Sequence, residues 1–394
     1  MARQRVAVAR PDEIRQHNLS LVLRHVHRDG ALTRAELTQR LGLSRSTVGG
    51  LVAELTRLGL VEEVVPTGGA GVGRPSHVVG PRRGGPFAVG VDIDVTRVTV
   101  AAVGLGGDIR AREVFDTELG ALTPEGLVEF IRVGVRRLQC PGHPDARLCG
   151  IGVSVPGTVD ISTGRVGVAP NLGWECVELG EMIARSGPGV PVVVGNDADL
   201  AVLAEHQRGV ARDSDDVVFL LGRIGVGAGI MSGGVPLRGR DGHAGEIGHN
   251  VLDPAGPRCH CGKRGCIEAF IGDAALLATA GRPGSPAEGA VASLFADARA
   301  GHEPAAQVVR DAAEPLGRTI ANLLNTLNPE RVVLGGSLAA LLELTRDDVQ
   351  ASVERYTFGG ATRGVQLVVP ALGQDASLLG AAEVAFTDLL SDPR

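Results

Sequence analysis

Nowhere in its 394 residues does the chain hold an apolar run approaching the roughly 18 residues that a membrane span requires. Its first residues, Met1 to Arg10, also lack the apolar core of a signal peptide, so a cytoplasmic location is expected. Low-complexity tracts and short repeats are missing too, which argues against linker-like and solenoid architectures. What remains is a composition of 44% hydrophobic and 21% charged residues, typical of a globular chain. The length suggests two or three domains at about 100 to 200 residues each.

Charge is distributed unevenly. Residues 1 to 83 carry 13 Arg against 7 acidic residues, although the whole chain has a net charge of -6. The remainder therefore stands at -12. A basic head on an acidic body points to a polyanion such as nucleic acid meeting the head alone.

The head reads as three helices and a hairpin. His17 to His27 places Leu19, Val22, Leu23 and Val26 at helical spacing. Thr33-Arg34-Ala35-Glu36 has the form of a capping box for a second helix reaching about Leu41. After a Gly42-Leu43 turn, Ser44 can cap a third helix over Arg45 to Leu58, with Val48, Leu51, Leu55 and Leu58 on its inner face. Leu60 to Val65, a glycine-rich tip and His77 to Val79 suggest a two-stranded wing. Two short helices with a tight turn put the second helix's N-terminus in a major groove, where Arg45 suits a guanine edge and Ser46 and Thr47 suit phosphates or bases. Arg74 at the wing suits a narrow minor groove. A small helical bundle with a solvated arginine face is the competing reading.

Residues 81 to 86 hold two Arg, two Gly and two Pro and read as a linker, setting residues 1 to 80 apart as the head. Beyond it, strand-like runs (Phe87 to Ile93, Arg97 to Val103, Ile109 to Phe115, Leu148 to Val155, Pro191 to Val194, Val217 to Leu221, Arg331 to Leu334) are interspersed with helical stretches. The clearest helices are Thr123 to Leu138, Ala198 to Arg208 and Pro304 to Leu327. This alternation predicts an α/β body with partly parallel sheets, divided into lobes over 87 to 214 and 215 to 394.

Three of the six cysteines, Cys259, Cys261 and Cys266, fall within eight residues. In a reducing compartment such crowding indicates a metal rather than disulfides. Three thiolates and one imidazole complete a closed tetrahedral, structural zinc site. His249 and His260 are both candidate nitrogen donors.

The segments Gly245-Glu246-Ile247-Gly248-His249 and Cys259-His260-Cys261-Gly262, continuing to Gly265-Cys266-Ile267-Glu268, resemble the signature of the ROK family of repressors and sugar kinases. Ser154-Val155-Pro156-Gly157, Asn171 with Trp174, Gly195-Asn196-Asp197-Ala198 and Asn328 to Gly336 are similar to family segments as well. With the winged helix-turn-helix in front, the resemblance is to the xylose-repressor and N-acetylglucosamine-repressor branch. It implies a two-lobed actin-like ATPase (sugar kinase) fold with sugar in the interlobe cleft, contacted by Asn196, Asp197, Glu246, His249 and Glu268. It also favours His249 over His260 as the zinc ligand. Taken singly, Asp197 can be a helix cap and Glu246 and Glu268 solvated turn residues.

In the kinases of this family, the resemblance makes Asp197 the general base. Phosphate there is gripped by an Asp-x-Gly-Gly-Thr turn and a Gly-Thr-Gly turn. Here those turns read Asp92-Ile93-Asp94-Val95-Thr96 and Gly222-Arg223-Ile224-Gly225, which brings in a carboxylate and loses glycine freedom. The expectation is therefore a non-enzymatic, sugar-responsive regulator that binds double-stranded operator DNA as a homo-dimer or tetramer. A bifunctional kinase and a sensor of a protein partner are the alternatives.

Overall fold

The computed structural model describes residues 10–64, 77–118, 120–138, 146–282, 288–360, 362 and 364–394. The head opens with α1 (Pro11–Asp29), whose first helical residue is a proline with no N–H to satisfy. It starts six residues ahead of the apolar pattern, because its first turns are exposed and polar. After β1 (Leu32–Thr33) comes α2 (Arg34–Leu41), with the expected capping box: Thr33 Oγ1 accepts from the Glu36 N–H at 3.2 Å, and the Thr33 N–H donates to Glu36 Oε2 at 2.7 Å. Gly42 ends it at φ 64°, a left-handed conformation that glycine adopts without strain. Ser44 caps α3 (Arg45–Arg57), whose Val48, Leu51, Val52 and Leu55 are buried. The wing strands are β2 (Val61–Val64) and β3 (Val78–Pro81), joined by β1 in the order β1-β3-β2.

The first lobe begins with β4 (Phe87–Asp94), β5 (Arg97–Gly104) and β6 (Ile109–Asp116), an antiparallel meander covered by α4 (Pro124–Arg137). Then β7 (Leu148–Val155) pairs parallel with β4. A small sheet follows, made of β8 (Val159–Asp160), β9 (Arg165–Ala169) and β10 (Trp174–Val177). After α5 (Leu179–Ser186), β11 (Val192–Asn196) completes the main sheet, β11-β7-β4-β5-β6, and leads straight into α6 (Asp197–Arg208).

The second lobe is built on β12 (Val217–Gly222), β13 (Val226–Ser232) and β14 (Val235–Pro236). Helices α7 (Glu268–Ile271), α8 (Asp273–Thr279), α9 (Glu288–Arg299), α10 (Ala305–Asp311) and α11 (Ala313–Leu327) follow. The single helix expected over Pro304 to Leu327 is thus two. Then β15 (Arg331–Gly336), α12 (Ser337–Tyr356) and β16 (Gln366–Val368) complete a second five-stranded sheet, β14-β13-β12-β15-β16.

The chain does not end where the second lobe does. Its last helices, α13 (Ala376–Ala385) and α14 (Thr387–Ser391), return to the first lobe and the head. Close packing makes this possible. A Cβ on Gly90 would lie 2.6 Å from the Leu378 carbonyl, and one on Gly152 would overlap the Ala381 carbonyl, so the glycines of β4 and β7 admit α13 onto the sheet. One apolar core joins Leu19, Val22, Leu23 and Val26 of α1 to Ala101 and Val103 of the first lobe and to Phe386, Leu389 and Leu390 at the C-terminus. Each large aliphatic side chain so buried contributes about 1.5–3 kcal/mol, so the head is docked by its first helix. Residues 81 to 86 are bound from both sides: the Arg82 N–H donates to the Leu60 carbonyl at 3.1 Å, and Arg110 Nη1 to the Gly85 carbonyl at 2.8 Å.

Candidate functional site

Where β11 runs into α6, Asn196 caps the helix. Its Oδ1 accepts from the Ala198 and Asp199 N–H groups at 2.9 and 3.0 Å, while Nδ2 donates to the Gly157 carbonyl at 3.0 Å. Asp197 follows, buried at the floor of the cleft, with Oδ1 accepting from Asn196 Nδ2 and the Ala198 N–H. Burial raises its pKa to about 6, against the pull of Arg223, with Asp92 adding to the rise. Asp199, two residues further, is raised to about 7 by burial, opposed by Arg238 and assisted by Asp197 and Glu246. That mutual influence places Asp197, Asp199 and the exposed Glu246 in one acidic neighbourhood.

Arg223 comes from the opposite lobe, in the turn between β12 and β13. Its Nη2 donates to Asp92 Oδ2 at 3.0 Å, and Nη1 lies 3.9 Å from Asp197 Oδ2. Asp92 is completed by Ser154 Oγ at 2.8 Å. Burial alone would depress the guanidinium's pKa, but Asp92, Asp197 and Asp94 raise it, so the residue stays cationic.

Beside this ion group lies a cavity of about 460 Å³, lined by Phe219, Leu221 and Phe295 and by charged residues that include Asp94, Arg223, Asp273 and Arg112. Asp273 is buried with Oδ1 unpartnered, and burial raises it to about 7. In each of the two turns that correspond to the family's phosphate grips, one backbone N–H is already taken within the turn itself. The Val95 N–H is taken by Asp94 Oδ1 at 2.7 Å, and the Arg223 N–H by the Gly225 carbonyl at 2.9 Å. Four carboxylates (Asp92, Asp94, Asp197, Asp273) act on the Arg223 guanidinium, and Arg97, Arg112 and Arg299 also line the cavity.

The segment bearing Glu246 and His249 is pressed against β13. At Gly245 (φ 93°) a Cβ would overlap the Ala228 carbonyl, and at Gly248 the Val226 carbonyl, so the glycines of this motif are sites of backbone contact. The short 3-10 turn Ile247–His249 then aims His249 at the cysteines. One ligand atom each from His249, Cys259, Cys261 and Cys266 gathers within 4.8 Å. Cys261 Sγ lies 3.7 Å from Cys266 Sγ, and Cys259 Sγ 3.8 Å from His249 Nδ1. Metal–sulfur bonds of about 2.3 Å in a tetrahedron give S···S edges of about 3.8 Å, so the spacing fits an ion. His260 lies beside this cluster, its Nδ1 2.6 Å from Glu268 Oε1 and 4.0 Å from Cys259 Sγ, and Cys259, His260 and Glu268 form a second group able to hold an ion. Glu268 has its other oxygen on the Val226 N–H at 3.1 Å, tying the cysteine loop to the start of β13.

On the head, Arg45, Ser46 and Thr47 occupy the first turn of α3 and are all exposed. A Cβ on Gly50 would meet nothing within 4 Å, and one on Gly49 only the tip of Arg34 at 3.8 Å. Internal packing therefore gives neither glycine a reason. Arg74 lies outside the described residues.

Arg223 was legible in the sequence only as a departure from a phosphate turn. The signal for more was there: a charged residue between two buried strands and two glycines has few places to go but inward. Unsignalled altogether was the buried group of His27, Arg208 and Glu383 at the head–body junction. His27 Nε2 lies 2.8 Å from Glu383 Oε2, Arg208 Nε donates to Glu383 Oε1 at 2.5 Å, and Arg208 Nη1 donates to the His27 carbonyl at 2.8 Å.

Comparison with known proteins agrees with this architecture. The ROK family model matches residues 88–387, and a MarR family model matches residues 20–70. A putative xylose repressor of Caldicellulosiruptor sp. (strain Rt8B.4) is 29% identical over 392 residues, covering 96% of this chain and 98% of its own. The glucokinase of Thermotoga maritima is 31% identical over 311 residues, covering 75% and 96%. Among solved structures, a ROK family transcriptional regulator described as a homologue of the E. coli MLC protein superposes over 96% of this chain and 97% of its own, with a TM-score of 0.76 at 24% identity. A ROK glucokinase from Streptomyces griseus, in complex with glucose and AMPPNP, superposes over 76% and 98%, with a TM-score of 0.65 at 30% identity. The match spans the body from its first strand to its last helix, and the chain belongs to the ROK family.

Proposed function

We propose that this protein is a transcriptional regulator that binds operator DNA through its winged head and a sugar through its interlobe cleft, and that it does not phosphorylate the sugar. The observation that carries this reading is a backbone donor already taken in each phosphate turn, at Val95 and at Arg223, beside the Asn196–Asp197 floor. A cleft of this kind keeps a hydroxyl-reading carboxylate, held in place by the Asn196 amide, and offers fewer backbone donors to ATP. Asn196, Asp197, Glu246, His249 and Glu268 are the proposed sugar contacts. Zinc, held by His249, Cys259, Cys261 and Cys266, fixes the loop that carries His249, leaving the second ring nitrogen of that residue for a hydroxyl. Head contacts fall to Arg45, Ser46 and Thr47, with Gly49 and Gly50 admitting the duplex backbone; Arg74 is assigned to the wing.

Coupling has a direct route. Helix α6 carries Asp197 at its first turn and Arg208 at its last, about 16 Å away at 1.5 Å per residue. Arg208 bonds to His27 of α1, so a sugar that shifts α6 displaces the docking helix of the head. Two heads in a homo-dimer, or in a dimer of dimers, match a two-fold operator.

The test takes the full-length protein with duplexes selected from a random library. Anisotropy titrations are repeated with xylose, glucose and N-acetylglucosamine, alongside an ATP-coupled phosphorylation assay. Selective duplex binding that one sugar changes, with turnover far below about 1 s⁻¹, is expected. Turnover at or above that rate, or no selected duplex, overturns the reading.

A further inference from the structure

The buried Nη1 of Arg223 has no hydrogen-bond partner, yet it faces Asp197 Oδ2 across 3.9 Å. That separation is too long for a direct hydrogen bond. It does fit a bridging hydroxyl. An oxygen about 2.9 Å from the nitrogen and about 2.7 Å from the carboxylate subtends an angle near 90°, donating its proton to Asp197 and accepting from Arg223. Asp92 fixes the guanidinium from the other side at 3.0 Å, and Ser154 fixes Asp92, so the donor is held before any ligand arrives.

We infer that Arg223 is a sugar-binding residue: with Asp197 it forms a donor–acceptor pair that reads one unphosphorylated hydroxyl of the effector, from the place where a kinase would hold the transferring phosphate. This rests on the cleft binding a sugar, as proposed above. The class of ligand follows from charge. Asp92 and Asp197 flank the guanidinium at 3.0 and 3.9 Å, so a neutral hydroxyl is accepted between Arg223 and Asp197 while a phosphate ester at the same position is set against two carboxylates at close range. Departure from the family turn is then a gain in recognition as well as a loss of catalysis.

The experiment is calorimetry on the full-length protein with whichever sugar binds it, that sugar's monodeoxy series and its monophosphate esters. In the wild type, one deoxy analogue should lose roughly 10- to 100-fold in affinity, as expected for a hydrogen bond to charged groups. The ester at that same hydroxyl should bind more weakly than the free sugar. In Arg223→Gln, the penalty for that one analogue should shrink several-fold, the remainder being the bond to Asp197, while the penalties at the other positions persist. Position-independent loss in the variant, unchanged affinity, or an ester that binds the wild type more tightly than the free sugar overturns the inference. Should Arg223→Gln fail to fold, the deoxy and ester series on the wild type still decide, since tighter ester binding or no selective deoxy loss overturns it. Failure of every sugar to bind the wild type removes the sugar-sensing reading itself, a different outcome from binding that is insensitive to Arg223.

Discussion

Replacing Glu383 by Gln tests the junction between head and body. In the folded chain this carboxylate is buried between His27 Nε2 at 2.8 Å and Arg208 Nε at 2.5 Å. Burial would raise its pKa, but the charges and hydrogen bonds of His27 and Arg208 outweigh that and bring it down to about 2, from an ordinary value of 4.5. At about 1.4 kcal/mol per pKa unit, the ionised form contributes on the order of 3 kcal/mol. Loss of one partner from a buried ion group costs about 3–5 kcal/mol, which agrees. Because the folded pKa is depressed, the contribution is present above the unfolded pKa of 4.5 and disappears as the pH falls towards 2. Urea unfolding of wild type and Glu383→Gln at pH 7 should therefore differ by about 3 kcal/mol, and by roughly half of that at pH 3. Limited proteolysis should also find the variant's head released first. A difference at pH 7 below about 1 kcal/mol, or one that does not shrink with acid, would refute the argument.

Three further outcomes follow from the same physical reading. Gly245→Ala should cost about 2 kcal/mol or more, from a positive φ of 93° and a Cβ overlapping the Ala228 carbonyl; thermal melting checks this, and a melt matching the wild type counts against the close approach. Protein produced with zinc should carry one ion per chain by mass spectrometry and lose it, with a lower melting temperature, in Cys266→Ser or on chelation; metal-free protein of unchanged stability is the contrary result. Arg45→Ala should weaken binding to a selected operator by about 1–3 kcal/mol and relax its sequence preference, while binding of the wild type falls steeply with salt; equal affinities count against a base contact.

Much of the fold was readable because its determinants are local. The capping box at Thr33, the Ser44 cap and the glycine at 42 each act within one helical turn, and the structure places all of them as the residues suggest. The apolar runs of β4, β7, β12 and β15 announce buried strands in the same way. The cysteine loop was readable through spacing alone, since Cys259 to Cys266 and their glycines lie close along the chain. The polar start of α1 was hidden because exposed turns leave no periodicity, and the break between α10 and α11 because both helices are apolar on the same scale.

What the sequence by itself determined was therefore the kind of parts: a winged head, an α/β body and a metal-ready loop. Tertiary structure decided what lies between them. Glu383 comes from the last helix, Arg208 from α6 and His27 from α1, so their ion group exists only once segments more than 170 residues apart have packed. The same holds for Arg223, which faces Asp92 across 131 residues of chain. Its charge reads as simple damage in the sequence; only the approach of the two lobes, which takes it out of water and beside two carboxylates, gives it a partner and an unpartnered donor. Local rules fix backbone conformation, but the energy of a buried charge depends on what the rest of the chain brings to it.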